Sequence, residues 1–343
     1  MRWKTAFQVA ATYVGAVMGA GFASGQEIQQ FFANFGYWGM IGIILSASLF
    51  AGLGYIMIDL QERWRVRTYT QFFEKLLGPK WGPKIDILVS ILLLIGMIAM
   101  MSGAGALFKQ YFGLSTWLGI LLTAVVIGLA LWFKGEGVLW INSVLIPLKF
   151  IFCLGIGLLA ILWGTQGDGE GVTQSMNPLI QNWVVSAILY VSLNITLAMV
   201  VFASLGAEVQ RKGAKQGALL GGIALGVFAA VIGGALIRFP EAGGLEIPMV
   251  AIAGKLGNWP AFFYVVVLWL AMITAAIGNA FSLVTKIVGA GKVNYRLVAL
   301  GLLLLTIPLA GIKFSLIVKL VYPVFGYLGL VFLPLLYMRW RKS

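Results

Sequence analysis

The sequence predicts an all-α integral membrane protein with ten transmembrane helices. Of its 343 residues, 61% are hydrophobic and only 10% are charged, whereas a soluble domain has roughly 25% charged residues. The charges lie in short islands between apolar runs of about 20 residues or more, the length that a bilayer core about 30 Å thick requires. Glycines also interrupt the first of these runs, which indicates a binding site at membrane depth.

The apolar runs define the predicted spans. Their approximate limits are residues 5–35, 38–60, 85–112, 117–133, 138–163, 183–206, 216–239, 261–284, 295–312 and 314–337. Apolar residues on one side of the connection at 69–77 predict a short helix at the inner surface, and 247–256 predicts another at the outer surface. We expect both helices to pack on the bundle, although a loop helix of this kind can also act as a lid.

The distribution of lysine and arginine predicts the orientation. With the N-terminus in the cytoplasm, eighteen of these cations fall in inner segments, and only Lys109, Arg238, Lys255 and Lys313 fall in outer ones. This asymmetry places both termini in the cytoplasm, because cytoplasmic loops accumulate positive charge. The membrane therefore explains the net charge of +13, and no basic stripe with interleaved aromatic residues indicates nucleic-acid binding.

The composition also argues against several classes of function. The chain has no histidine and a single cysteine, Cys153, inside an apolar run. It therefore lacks the usual ligands of a structural metal site, and an internal disulfide is impossible. Because no paired acids lie at membrane depth either, we predict a protein without cofactor or enzymatic activity. A channel would normally show repeated charged or carbonyl-lined rings.

The first span contains the most unusual stretch of the chain, GAVMGAGFASGQE, from Gly15 to Glu27. Gly15, Gly19, Gly21 and Gly25 lower helix propensity at a depth where hydrocarbon requires every backbone group to be hydrogen-bonded. We predict a broken helix here. Unwound backbone at this depth is tolerated where it lines a wet cavity or is packed in protein.

The sixth span has three polar residues in its middle, Ser192, Asn194 and Thr196. They predict a second discontinuous helix, with the alternative that they bond to neighbouring helices or to their own backbone. Two interrupted spans, five spans apart, are typical of an inverted repeat. We therefore predict one transmembrane domain, with repeat one at about 5–163 and repeat two at about 183–338.

Two charged residues are predicted to lie inside the membrane. Lys149 is about eleven residues into a 26-residue span, where insertion of a charge costs roughly 2.5 to 3.5 kcal/mol. Either its ammonium loses and regains a proton during a transport cycle, or it stays charged in a site that sodium fills elsewhere; snorkelling or pairing with a carbonyl is the structural alternative. Glu27 could bind a proton, attract a cationic solute or form an outer gate, or be satisfied by Gln26 or a neighbouring helix.

Weaker signals come from the third and eighth spans. Thr274, Asn279 and Ser282 follow helical spacing loosely, and Thr274 with the carbonyl of Ala271 could face the first span. Ser102 permits close helix approach, which more often reflects packing than ligand contact.

The segments GAGFASGQE and SLNIT, the lysine in LIPLKFIF and the ten-span count together resemble the YkvI-like family of bacterial membrane proteins. That family in turn looks like a member of the amino acid, polyamine and organocation superfamily, which has the five-plus-five inverted-repeat architecture called the LeuT fold. The resemblance covers the whole chain. It implies a multi-pass protein of the bacterial plasma (inner) membrane that acts as a monomer or homodimer.

The resemblance also implies which residues form the site. The amides of Ala20 and Gly21, with the polar edge at Ser192 and Asn194, would hold the carboxylate and amine of an amino acid. The substrate-binding set is Gly19, Ala20, Gly21, Ser24, Ser102, Ser192, Asn194 and Thr196. In sodium-coupled relatives, the positions of Gly15, Met18, Ala271 and Thr274 form a cation site.

The sequence departs from that sodium site in one respect. Ala275 stands where such relatives often have a second hydroxyl, and Lys149 matches the lysine of proton-coupled or sodium-independent relatives. Proton coupling or exchange is therefore favoured over sodium coupling, and Lys149 and Glu27 complete the expected coupling set.

These observations predict a secondary transporter of a small solute, an amino acid or related amine, that works by alternating access. Its partners would be the solute, a proton or sodium ion and the lipid bilayer. The alternative is a ligand-sensing receptor subunit on the same fold, which binds a solute without transporting it. The compact loops offer little surface for signalling partners and disfavour that alternative.

Overall fold

A computed structural model describes residues 2–66, 69–133, 138–164, 177–204, 212–291 and 293–342. Within these ranges the chain forms helices, turns and short connections, and no strand is found. The all-α prediction is therefore confirmed for the described part of the chain.

The first span consists of three pieces. Helix α1 covers Arg2–Val17, α2 covers Ala20–Ala23 and α3 covers Gln26–Phe31. The two interruptions fall within the glycine-rich stretch, so the predicted break in this span is confirmed.

Ten further helices follow before the last span: α4 (Tyr37–Trp64), α5 (Tyr69–Leu77), α6 (Gly82–Phe112), α7 (Thr116–Trp132), α8 (Val138–Trp163), α9 (Trp183–Ser204), α10 (Ala214–Arg238), α11 (Pro248–Lys255), α12 (Asn258–Ala290) and α13 (Tyr295–Leu309). The last span contains α14 (Phe314–Leu316), a π-helical turn (Ile317–Val321), α15 (Tyr322–Gly329) and α16 (Phe332–Lys342).

Six helical segments of the described chain are long and apolar enough to cross a membrane, so the protein is a membrane protein. They are Tyr37–Trp64, Pro79–Phe112, Trp183–Phe202, Ala214–Arg238, Asn258–Gly289 and Phe314–Lys342. Three shorter apolar helices, Thr116–Trp132, Pro147–Trp163 and Tyr295–Leu309, coincide with other predicted spans. The broken segment α1–α3 occupies the position of the first predicted span.

The predicted break in the sixth span is wrong at the residues that suggested it, because α9 continues from Trp183 to Ser204. The amide of Asn194 donates to the carbonyl of Tyr190 at 2.9 Å, and the hydroxyl of Thr196 donates to the carbonyl of Ser192 at 2.9 Å. Both bonds span one helical turn. The alternative weighed from the sequence, in which the polar groups bond to backbone, is the one that the structure shows.

Helix α15 packs closely on this face of α9. The hydroxyl of Ser192 donates to the carbonyl of Gly326 at 2.6 Å. A Cβ atom on Gly329 would lie 2.6 Å from the Ser192 Oγ and 2.8 Å from the Thr196 Oγ1. Small residues allow membrane helices to approach closely, so Ser192 and Thr196 form part of a helix–helix contact.

The two short surface helices are present as α5 and α11. The Lys75 ammonium of α5 donates to the carbonyl of Trp64 at 2.7 Å, and the side chain of Arg339 donates to the carbonyl of Leu76. In α11, the amide of Met249 donates to the carbonyl of Ser24 at 3.0 Å. Helix α11 therefore lies directly over the broken part of the first span.

A buried carboxylate joins three helices at the end of the bundle where α4 ends and α10 begins. The Asp59 carboxylate lies 2.7 Å from Arg63, 2.6 Å from Lys215 and 2.7 Å from the indole nitrogen of Trp340. Asp59 is 3% exposed. Its charge is compensated by two cations and one further donor, which is the condition under which burial of a carboxylate is tolerated.

Candidate functional site

A glycine precedes each of the later two pieces of the first span. Gly19 has extended backbone (ψ −177°) and precedes α2, while Gly25 has a φ of 84°, in the left-handed region that favours glycine. Between them, the hydroxyl of Ser24 donates to the carbonyl of Gly21 at 2.7 Å and accepts from the amide of Gln26 at 3.2 Å. The Ser24 hydroxyl is therefore used inside the break.

Carbonyl groups released by the break find donors on other helices. The ammonium of Lys149, on α8, donates to the carbonyl of Met18. The hydroxyl of Tyr264, on α12, donates to the carbonyl of Ala23 at 2.5 Å. Together with the contact from α11, these bonds satisfy backbone that a bilayer cannot hydrate.

Lys149 is 7% exposed, and its ammonium also lies 5.8 Å from the ring centroid of Phe150. The ion pairs found among the described residues involve Asp59, Glu62, Asp86 and Glu241, and none involves Lys149. Its bonded partner is a backbone carbonyl, which is the pairing that the structural alternative expected.

The Met18 carbonyl, to which the Lys149 ammonium donates, is one of the groups predicted to form the cation site. The predicted site residue Thr274 bonds within its own helix. Its hydroxyl donates to the carbonyls of Leu270 at 3.0 Å and Ala271 at 3.2 Å. In the described part of the chain, no group of three or more His, Cys, Asp and Glu side chains could hold a metal ion.

A cavity of about 280 Å³, here called the central cavity, adjoins the break. Helices α6, α9, α12 and α15 form its other walls. Five of the predicted site residues line it: Gly15, Gly19, Gly21, Glu27 and Asn194. The other nine lie outside its lining: Ala20, Ser24, Ser102, Ser192, Thr196, Lys149, Met18, Ala271 and Thr274.

Glu27 is the carboxylate of the central cavity, and it is 5% exposed. Its Oε1 lies against the backbone of Gly21: a Cβ atom added to Gly21 would be only 2.2 Å from this oxygen. The hydroxyl of Tyr190 approaches the other oxygen at 3.4 Å. No ion pair among the described residues involves this carboxylate.

Two further polar side chains line the central cavity, Asn279 and Tyr322. Asn279 was only a weak signal in the sequence. Its side-chain amide packs on Gly96, because a Cβ atom on Gly96 would lie only 2.6 Å from the amide nitrogen. Tyr322 and the buried Tyr190 and Tyr264 were missed. An isolated tyrosine in an apolar run carries no local signal that separates a site residue from a packing residue.

Ser102 lies in a second cavity, with a volume of about 1020 Å³. The Ser102 hydroxyl donates to the carbonyl of Ile312 at 2.5 Å, and Lys109, Glu246 and Lys313 line the same cavity. The structure therefore separates Ser102 from the other predicted solute contacts.

The central cavity lies on one side of the break. It is lined by α6 between Val89 and Met100 and by α9 between Leu193 and Val201. These are the halves of the two helices nearest to the end of the bundle where α1 begins. On the other side, the side-chain amide of Gln110 donates to the carbonyl of Ile247 at 2.8 Å and accepts from its backbone amide at 3.0 Å. These two bonds tie the loop that precedes α11 to α6.

Comparison with solved structures identifies the fold. Mhp1 in an inward-facing conformation matches with a TM-score of 0.67 and 12% identity, over 94% of this chain and 73% of that one. MhsT in complex with L-phenylalanine matches with a TM-score of 0.62 and 16% identity, over 95% and 87%. A manganese transporter of Eremococcus coleocola matches with a TM-score of 0.57 and 16% identity, over 97% and 77%. The chain therefore shares the LeuT fold of these proteins.

Comparison of sequences identifies relatives. No family model matches the chain. The "Uncharacterized membrane protein YkvI" of Bacillus subtilis is 29% identical over 331 residues, which are 96% of this chain and 94% of that protein. The "Uncharacterized protein YyaD" of the same organism is 31% identical over 342 residues, 97% of this chain and 96% of that protein. With this identity over nearly the full length of both proteins, the chain belongs to the same family as YyaD.

Proposed function

We propose that this protein is a secondary transporter that binds a small solute at the break of the first span and moves it by alternating access. The observation that carries the proposal is the meeting of unwound backbone and a buried carboxylate, Glu27, in the central cavity. The shared fold with solved transporters supports it. We further propose the finer placement, which is a YkvI-like protein of the amino acid, polyamine and organocation superfamily with ten spans in two inverted repeats.

The proposed solute is an amino acid or related amine. At about 280 Å³, the central cavity is slightly smaller than the usual range for ligand pockets, roughly 300 to 1,000 Å³, which suits a small solute. The Glu27 carboxylate would receive an ammonium group, and Asn194 and Asn279 offer amide groups. The backbone amide of Gly21, at the start of α2, would supply a further polar contact, as expected for unwound backbone in transporters.

We propose that transport is proton-coupled or independent of sodium. The Lys149 ammonium already donates to the Met18 carbonyl, where a sodium ion would need an oxygen ligand. An ammonium at this position can act in either of two ways: it exchanges a proton during the cycle, or it remains as a fixed cation.

The proposed conformation is inward-facing. With both termini in the cytoplasm, the central cavity lies on the cytoplasmic side of the break and α11 closes the outer side. The amide of Met249 on the Ser24 carbonyl is the direct contact of that closure.

Uptake into proteoliposomes tests the proposal. Amino acids and amines are supplied with imposed proton or sodium gradients to the native protein, to Glu27→Gln and to Glu241→Gln. Glu241 is the control because it is a carboxylate paired with Lys255 outside the central cavity. We expect sodium-independent uptake, reduced roughly tenfold or more in Glu27→Gln, the equivalent of losing about 1.4 kcal/mol of binding, and unchanged in the control. Absence of flux across the whole panel would exclude a transporter of such solutes.

A further inference from the structure

We propose that a groove between α7 and α13 binds one anionic phospholipid, with an acyl chain along the two helices and the phosphate at Arg296. The groove has a volume of about 700 Å³ and no part in the central cavity. Both helices present exposed leucines along it, including Leu129 at 58% and Leu304 at 62%.

The dimensions of the groove fit one leaflet of a bilayer. Its α13 wall extends from Arg296 to Ile307, and its α7 wall extends from Trp132 to Leu121. Each wall is twelve residues long, and the eleven steps between its ends, at 1.5 Å each, span about 16 Å. This is about half of a hydrocarbon core about 30 Å thick, so an acyl chain that starts at Arg296 reaches the bilayer midplane at the end of the groove.

Small residues create the groove. Gly128 and Ala124 lie on its α7 wall, and Ala299 lies on its α13 wall. A Cβ atom on Gly128 would be 3.2 Å from the side chain of Leu303, which shows how closely the helices approach at that point. Larger side chains here would fill the space that we assign to the acyl chain.

Arg296 supplies the charge at one end. Its guanidinium carbon lies 4.1 Å from the ring centroid of Trp132, which is 54% exposed. None of the ion pairs among the described residues involves Arg296. A guanidinium over an indole can still offer its donors for a bidentate contact with phosphate, and tryptophan is typical of the level of the lipid headgroups.

Native mass spectrometry tests the proposal. The detergent-solubilised protein is titrated with phosphatidylglycerol or with phosphatidylethanolamine of the same acyl chains. The variants are Arg296→Gln and, as a matched control, Arg341→Gln, since Arg341 also lies over an aromatic ring, 6.0 Å from Tyr337, but outside the groove. We expect a preference of roughly fivefold for the anionic lipid, lost in Arg296→Gln and kept in Arg341→Gln.

A second variant tests the acyl chain. Val125 lies on the α7 wall and is 59% exposed, so Val125→Trp places an indole in the groove without entering the core. We expect unchanged thermal stability and loss of the tightly bound lipid. The proposal is overturned if neither Arg296→Gln nor Val125→Trp changes lipid binding. It is also overturned if the native protein is a lipid-free dimer that Val125→Trp dissociates, because the groove would then join two copies of the chain.

Discussion

Lys149 and Glu27 are two buried charges at the same break, and they are held by different kinds of partner. The ammonium of Lys149 donates to a backbone carbonyl, whereas the carboxylate of Glu27 accepts from the hydroxyl of Tyr190. Neither has an ion pair among the described residues. A charge at the centre of a membrane helix costs roughly 2.5 to 3.5 kcal/mol on insertion scales, and this cost supports a functional role for both groups.

Lys149→Ala is expected to abolish solute accumulation against a gradient while solute binding in detergent changes less. The reason is that Lys149 bonds to the break without lining the central cavity, so its loss affects coupling more than contact with the solute. Uptake and binding are measured on the same preparation, with Lys4→Ala as control because Lys4 is exposed. Unchanged accumulation in Lys149→Ala would remove the lysine from the mechanism.

Charged residues of the site were visible in the sequence, while its tyrosines were not. A lysine within an apolar run is informative by itself, because hydrocarbon penalises the charge wherever the chain folds. From the sequence alone, Tyr264 and Tyr190 could each pack in the core, lie at the membrane interface or belong to the site. The atom to which each hydroxyl bonds in the folded protein decides between these roles. The hydroxyl of Tyr264 acquires its role from the Ala23 carbonyl, which lies 241 residues away in sequence.

The first and sixth spans both have residues unusual for a membrane helix, yet the first is broken and α9 is continuous over its described residues. In the first, Gly25 adopts a φ of 84°, which residues with side chains adopt less readily. In α9, the polar residues are Ser, Asn and Thr, whose side chains can return a hydrogen bond to the preceding turn. The glycine pattern therefore predicted a break correctly, and the polar pattern of α9 did not.

Gly329→Ala is expected to destabilise the protein. The new Cβ atom would lie within 2.8 Å of the side chain and the carbonyl of Ser192, and overpacking of this kind costs typically about 1 to 3 kcal/mol. Thermal unfolding in detergent measures the effect, which we expect as a fall of several degrees, at about 2 to 4 °C per kcal/mol.

The control for this prediction is Gly301→Ala, because no atom lies within 4 Å of the position of its Cβ atom. In Gly301→Ala we expect no loss of stability. Equal stability of the two variants would show that α15 and α9 can separate without cost.

On the scale of the whole molecule, the two sides of the break differ. Helix α11 and its preceding loop bond to one side through Met249 and Ile247. The central cavity extends on the other side, between the halves of α6 and α9 that lie near the start of α1.

Thiol labelling is expected to detect this sidedness. Leu197 lines the central cavity, and Leu245, which is 39% exposed, lines the second cavity. With a membrane-impermeant reagent, we expect Leu197→Cys to react from the side of the N-terminus and Leu245→Cys from the opposite side. The native protein is the control, because its single cysteine, Cys153, is 1% exposed. Reaction of Leu197→Cys from the α11 side would contradict the closed outer path.

The sequence by itself determined the membrane class, the positions of most helices, the break after Val17 and the buried charges Lys149 and Glu27. These follow from hydropathy, glycine conformation and the cost of charge in hydrocarbon, which act locally along the chain. The tertiary structure alone decided which predicted residues share the central cavity, that α9 continues through Asn194, and that Ser102 lies elsewhere. Those outcomes depend on which helix faces pack together, and the atoms in contact belong to residues far apart in sequence.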